Sequence, residues 1–407
     1  MTRVLIVTTN YWPEPTGISV YTTDAAEFLT SQGIHTTVLT SLPHYPWWKI
    51  PEEYSHMVEG NSSHRNVDIL RANHLIPPRM NALLRVRFEF SLWWNLKRIS
   101  KQLELEVFDA VITYIPTVAA GLVAKMIAKK AKKPLGIVVQ DLSGAGAKQS
   151  GLSGGAMISS LAKAIEKSVL TAGNQLIVVS PAMRDVIASS NIDKSKISMI
   201  LNYSAKTIQN IAVLEARKRL GWNDKDFILI HTGNMGAKQD LGNVISAAGH
   251  LVGNSKIRIV LVGHGNQEAK IKEMCVGMEN ITVIPAVSDA DYSSLLSAAD
   301  MLLVNERATQ MEMSLPSKLT SYLYSGRPVI AAVPRGGATW KFLDGIAELV
   351  EAGQPRSLAQ AIDTISNQPE KLLDLADRGS RFAMEYLDPD VGRKKYLDWI
   401  ERLVNFE

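Results

Sequence analysis

The sequence predicts an α/β protein made of two Rossmann-like, doubly wound domains facing one cleft, and three observations carry that prediction. Short Val/Ile/Leu runs bounded by turn residues recur along the whole chain. Longer amphipathic stretches separate them, supplying helical crossovers for parallel strands buried on both faces. The pattern also opens the same way twice. Val4-Leu-Ile-Val leads through Pro13-Glu-Pro-Thr-Gly17 into a helix, and Phe227-Ile-Leu-Ile-His leads through Thr232-Gly-Asn-Met-Gly236 into another. A strand, a Gly-containing loop and a helix point backbone N–H groups at an anion. One such unit is weak evidence, but two, each starting a βα series, point to paired domains.

In chain order, the expected strands of the first half are Val4–Val7, Thr37–Thr40, Asp68–Arg71, Ala110–Thr113, Leu135–Val139 and Leu176–Val179. Those of the second are Phe227–His231, Ile257–Val262, Ile281–Ile284, Met301–Val304, Pro328–Ala332 and Glu348–Val350. Asp24–Gln32 and Leu241–Leu251 are representative crossover helices. Strand patterning lapses between Asn202 and Asp226, where the linker is expected. No shorter repeat or low-complexity tract is present.

The length of 407 residues accommodates two or three domains of ~150 residues. Hydrophobic residues at 46% and charged residues at 21% are globular values, which excludes a disordered chain. Lys plus Arg is 44 against 40 for Asp plus Glu, a net charge of +4 too small to mark a nucleic-acid binder. The single cysteine, Cys275, excludes an intrachain disulfide and Cys-based zinc sites, and fits a reducing compartment. The apolar stretch from Val111 to Ala124 is broken by Lys125, short of the ~18 residues that a spanning helix needs. The first apolar run is far shorter than a signal-peptide core and enters a Tyr11-Trp-Pro-Glu-Pro loop. The expected location is cytoplasmic, with contact at the inner membrane face left open.

Several segments could carry chemistry. In Ile228-Leu-Ile-His-Thr-Gly-Asn-Met-Gly-Ala-Lys-Gln, Gly233 and Gly236 allow close backbone approach and Lys238 adds a cation, together able to hold a diphosphate; a tight βα turn with a solvated lysine is the equal alternative. In Glu312-Met-Ser-Leu-Pro-Ser-Lys-Leu, Pro316 suits a first helical turn, and Ser317 and Lys318 would meet an anion docked there; taken alone, a capped helix with an exposed lysine is the better reading. Gly263-His-Gly265 is either a nucleotide approach or a simple turn. His44, in Pro43-His-Tyr-Pro-Trp-Trp, is either a cleft residue or, the better reading, a histidine bonded within its loop. Asp141 ends a strand run before a Gly/Ser loop, where it can bind an acceptor hydroxyl, act as a base, or cap the turn. The histidines show no metal spacing, so no metal site is expected. Residues Ile76 to Lys101 combine six Arg/Lys with Phe88, Phe90, Trp93 and Trp94; a membrane-interfacial helix competes there with burial against the domain.

These segments in order resemble the retaining nucleotide-sugar glycosyltransferases of family four, which have the GT-B fold. The likeness covers nearly the whole chain. It runs through Pro13-Glu-Pro-Thr-Gly-Ile-Ser-Val-Tyr, Val139-Gln-Asp141, Val179-Ser180, Leu201-Asn202 and the Gly-Asn-Met-Gly loop, then Val262-Gly-His-Gly, Ala298-Ala-Asp-Met-Leu-Leu-Val and Leu315-Pro-Ser-Lys-Leu-Thr. It is most similar to the branch making bacterial exopolysaccharides and O-antigens, colanic-acid transferases included. The resemblance implies an acceptor-binding domain at 1–203, joined by a C-terminal crossover helix at about 386–407, and a nucleotide-sugar-binding domain at 204–385. It implies donor contacts from Gly17, Gly233, Asn234, Gly236, Gly263, Val287, Ser317 and Lys318. Asp141, Lys238 and Glu312 would be catalytic, with His44 and Gln140 on the acceptor side. Where the family carries a second glutamate this chain has Ser321; it has Gln140 for a common histidine and Asn234 for a common arginine.

The implied reaction moves a sugar, with retention and without a metal cofactor, from a nucleoside diphosphate, UDP by expectation, to a hydroxyl. The acceptor would be a saccharide or lipid-linked saccharide of the cell surface. The rivals are a GT-B nucleotide-sugar epimerase, which needs no acceptor, and a scaffold that kept the fold but lost catalysis. A dehydrogenase fits less well, because neither loop reads Gly-x-Gly-x-x-Gly with an acid ending the following strand.

Overall fold

The computed structural model describes residues 2–78, 81–142, 155–190, 192–203, 208–209, 211–309 and 315–406. The chain divides into two compact units, Met1–Leu201 with Gly392–Glu407, and Asn202–Val391.

In the first unit the strands are β1 (Arg3–Val7), β2 (His35–Ser41), β3 (Gly60–His64), β4 (Val67–Ala72), β5 (Ala110–Ile115), β6 (Leu135–Val139), β7 (Gln175–Val178) and β8 (Ile197–Met199). They form one sheet in the order β3-β4-β2-β1-β5-β6-β7-β8. Every pairing is parallel except β3 against β4. Strand order reverses between β1 and β5, so the loop after β1 opens at the switch point where α/β sheets gather ligands. The apolar runs are buried because helices cover both faces. The sequence does not mark β3, an exposed Gly-Asn-Ser-Ser-His edge strand, nor the short edge strand β8. The C-terminal helix Pro389–Val404 packs Tyr396, Trp399, Ile400 and Leu403 into the same core as Val4, Ile6 and Ile112.

The second unit carries β9 (Phe227–Thr232), β10 (Ile257–Val262), β11 (Ile281–Ile284), β12 (Met301–Asn305), β13 (Val329–Val333) and β14 (Glu348–Glu351). Their order is β11-β10-β9-β12-β13-β14, all parallel. Here the order reverses between β9 and β12, which brings the loops after those two strands together. The region expected to be linker is more structured than its patterning implied, because it holds the helix Val213–Leu220. Buried Arg217 fastens that helix by donating to the carbonyls of Ala298, Asp224 and Asp226 and to the Asp300 carboxylate. Charged letters thus hid a structural element: a buried guanidinium with all these partners is satisfied.

Candidate active site

The loop after β9 and the loop after β10 are zipped together by backbone hydrogen bonds. Gly233 N–H donates to Val262 O (2.9 Å), Met235 N–H to His264 O (2.8 Å) and Gln267 N–H to Met235 O (3.0 Å). The Gly263 N–H is taken by Ile284 O (3.1 Å). A Cβ on Gly263 would lie 1.9 Å from Gly233 O, and one on Gly265 2.4 Å from Met235 O. This corrects the expectation for Gly263, which is buried with its N–H already used. It lets two loops touch, a packing role in place of direct donor contact. Gly233 (φ 122°), Asn234 and Lys238 are exposed, Gly236 is buried, and Lys238 lies in the short turn Ala237–Gln239 ahead of the helix Leu241–His250.

Lys318 opens the seven-residue helix Lys318–Tyr324, with Ser317 exposed at its N-cap. Its Nζ donates to Gln239 Oε1 (2.7 Å) and lies 3.0 Å from His231 Nε2. His231 is fully buried near the end of β9, and its Nδ1 is 3.0 Å from Leu303 O on β12. A carbonyl only accepts, so Nδ1 carries the proton and Nε2 accepts from the ammonium. Burial, then the Lys318 charge, holds this imidazole well below its ordinary pKa, which keeps it neutral. Burial also lowers Lys318, to about 7, against an opposing pull from Glu306. A Cβ on Gly233 would be 3.4 Å from Lys318 Nζ, so this ammonium sits beside the exposed glycine of the loop after β9. The two signals that looked separate in the sequence therefore converge at the switch point.

Ser321, standing at the family's second glutamate, joins a hydroxyl network. It donates to Lys318 O (2.9 Å) and lies 3.0 Å from Tyr292 OH. Tyr292 OH is 3.3 Å from Thr232 Oγ1, which is 3.1 Å from Tyr322 OH; the latter accepts from Thr232 N–H (2.7 Å). Tyr292 and Ser321 are both half-buried, so neutral hydroxyls occupy this place in lieu of a carboxylate. Val287 is half-buried in the loop before the helix Asp289–Ala298. Glu312 lies outside the described residues.

In the first unit, Gly17 (φ 71°) is exposed at the start of the helix Ile18–Ser31, and a Cβ there would be 3.1 Å from the Tyr45 ring. Gln140, half-buried, and Asp141, exposed, follow β6; Asp141 Oδ1 accepts from Leu142 N–H (2.8 Å). The Gly/Ser loop after them, 143–154, is outside the described residues.

His44 is corrected from acceptor contact to loop packing. It is 2% exposed, with Nδ1 3.1 Å from Leu42 O and its ring against Trp48, His74 and Phe88. Burial lowers it to about 4. The residue that organises this loop, which the sequence reading missed, is Glu14. Its carboxylate accepts from His44 N–H and Tyr45 N–H (both 2.8 Å) and from Asn10 Nδ2 (2.7 Å), tying the loop after β1 to the loop after β2. Burial raises Glu14 to about 7 despite those bonds. The only signal in the sequence was an acid between two prolines.

Among the described residues, no group of three His, Cys, Asp or Glu is placed to hold a metal ion, and no helix is long and apolar enough to cross a membrane.

Comparison with known proteins agrees with this fold. Residues 16–202 match the model for the glycosyl transferase 4-like domain, and residues 213–382 match that for glycosyl transferases group 1. The chain belongs to the GT-B glycosyltransferases of family four. It is 28% identical over 380 residues to WcaI of Escherichia coli K12, provisionally named a colanic acid biosynthesis glycosyl transferase, covering 88% of this chain and 91% of WcaI. Its fold matches sucrose-phosphate synthase from Thermosynechococcus elongatus, with a TM-score of 0.75, 15% identity and 99% of each chain covered. It also matches Anabaena HepE in complex with UDP, with a TM-score of 0.71, 14% identity, and 98% of this chain and 100% of that one covered.

Proposed function

We propose that this glycosyltransferase moves a sugar, with retention, from a UDP-linked donor to a hydroxyl of a saccharide or lipid-linked saccharide in cell-surface polysaccharide synthesis. One observation carries the reading: Lys318 Nζ, held by neutral acceptors, lies beside Gly233 at the switch between β9 and β12. A partly desolvated cation next to an exposed loop calls for an anion, and a diphosphate supplies one. The likeness to WcaI supports the polysaccharide role, and HepE, solved with UDP, supports the nucleotide. In the reaction the bond from the anomeric carbon to the phosphate oxygen breaks and its electron pair leaves on the diphosphate. The acceptor oxygen attacks the same face, and Asp141, acting as the base, takes up the hydroxyl proton. Lys318, Lys238 and Ser317 stabilise the charge accumulating on the leaving group.

Thermal unfolding with UDP, GDP and CDP and their sugar conjugates, in EDTA, tests donor identity and metal independence together. A nucleotide at ~100 times its dissociation constant stabilises by ~2.7 kcal/mol. UDP and one UDP-sugar are expected to raise Tm. A shift with GDP or CDP alone would overturn the UDP assignment, and no shift until a divalent cation is restored would overturn metal-independent binding.

The helix Ala82–Ile99 gives the membrane part of the reading its geometry. Phe88, Leu92, Leu96 and Ile99 are buried, and Trp93 is half-buried under Lys97. Leu83, Val86, Phe90 and Trp94 are exposed, and their spacing places them on one stripe. Arg87 and Lys97 flank it by helical spacing. The buried face carries the packing reading of this segment, and the exposed stripe on the opposite face supports the membrane reading. Such a stripe with basic flanks suits an anionic bilayer surface. Phe90→Ser with Trp94→Ser is expected to abolish co-flotation with phosphatidylglycerol vesicles while leaving Tm unchanged. Undiminished flotation would remove this helix from membrane contact.

A further inference from the structure

We infer that His231 is a positioning residue for donor binding: its neutral imidazole bridges β12 to Lys318 and holds the ammonium beside Gly233. The inference rests on the donor reading above and adds a residue which that reading does not use.

His231 is 0% exposed, so it cannot itself meet a ligand from solvent. Yet both its ring nitrogens are engaged in one direction, from the Leu303 carbonyl through Nδ1–H and from Nε2 to Lys318 Nζ, each at 3.0 Å. The carbonyl fixes the tautomer, and the tautomer in turn makes Nε2 an acceptor that only a donor such as the ammonium can use. Gln239 Oε1 takes a second ammonium proton at 2.7 Å. Two protons of three are thereby spent on neutral acceptors, and among the described residues no carboxylate accepts a direct hydrogen bond from this ammonium. Among the described residues, two charged groups act on this pair. Glu306 raises the Lys318 pKa, and Lys318 lowers that of His231. A carboxylate in place of the imidazole would neutralise the lysine, and an apolar residue would let its flexible stem swing away. A neutral, rigid acceptor does neither, so the cation remains both placed and available.

The test uses two neutral variants of different reach. His231→Asn can keep the bond to Leu303 O, which Nδ1 makes, but is too short to accept from Lys318. His231→Gln reaches about as far as Nε2. His231→Asn is expected to raise the donor KM about 10- to 100-fold, the loss of one hydrogen bond to a charged group, and His231→Gln to stay within about threefold of wild type. The pH above which the donor KM climbs should fall in the Asn variant, because its lysine has lost an acceptor, and be restored in the Gln variant. A merely structural histidine would lower Tm and kcat without moving that pH. Equal KM and pH profiles in the Asn and Gln variants would overturn the inference. Lys318→Ala serves as the reference: a wild-type donor KM there would overturn the donor reading itself, whereas a large defect there with none in His231→Asn would overturn only the role of His231.

Discussion

Lys318→Ala is expected to lower kcat/KM for the nucleotide-sugar by ~100-fold or more, the usual cost of removing one fixed donor from a developing anion. Lys238→Ala should lower turnover by a similar factor, since the proposed reaction sets this exposed cation against the same developing charge. The lysine at 318 carries an additional signature in pH. Burial lowers it from 10.5 to about 7, so above neutrality the free protein has largely lost the proton that the diphosphate needs. Donor binding must then take a proton up, and the donor KM should rise about tenfold per pH unit above that point. Stability of the ligand-free protein moves the other way. Between about 7 and 10.5 the unfolded chain holds this proton and the native state does not, so Lys318 makes the native state more stable as pH rises through that window. Lys318→Met should remove both slopes while folding normally. Steady-state kinetics and thermal unfolding from pH 6 to 9 measure the two effects. A variant that keeps the wild-type pH slope in KM would sink the assignment.

The fold was largely legible because strands buried on both faces must be written in apolar residues, and runs such as Val4–Val7 and Leu135–Val139 leave no polar alternative. Polar letters hid the rest. The helix Ile18–Ser31 starts well before the expected Asp24, because Ser19 and Thr22 are buried with their hydroxyls bonded to Glu14 O and Ile18 O. The candidate site was legible where function needs exposed groups close together in the chain, as with Gly233 and Lys238. It was not legible where a partner arrives from far along the chain. His231 finds its role only with Lys318, 87 positions away, and Tyr292 only with Ser321. Gly263 and His44 misled for a related reason, since glycine and histidine serve packing as readily as chemistry, and only burial separates the two uses.

Unit one should depend heavily on its last helix, and Gly136 shows why. Gly136 lies on β6, inside the sheet, paired with Ile112 and Gln175. A Cβ there would be 2.4 Å from Trp399 Cη2 and 2.6 Å from Leu403 Cδ2, so the strand leaves the indole its space by having no side chain. Trp399 is fully buried among Val4, Ile112 and Tyr396, and Tyr396 OH bonds Tyr114 OH at 3.0 Å. Trp399→Ala is therefore expected to destabilise this unit by about 3–5 kcal/mol. Trp399→Phe should cost less than the alanine change, because the indole N–H has no acceptor among the described residues and mainly volume is lost. Gly136→Val should destabilise by overpacking, on the order of 1–3 kcal/mol or more given backbone pinned on both sides. The two sites share one volume, so Gly136→Val combined with Trp399→Ala should be less damaging than the sum of the two. Urea unfolding of the four variants measures this. Strict additivity would mean that the helix is not seated over β6, and with it would go the placement of residues 392–407 in the first unit.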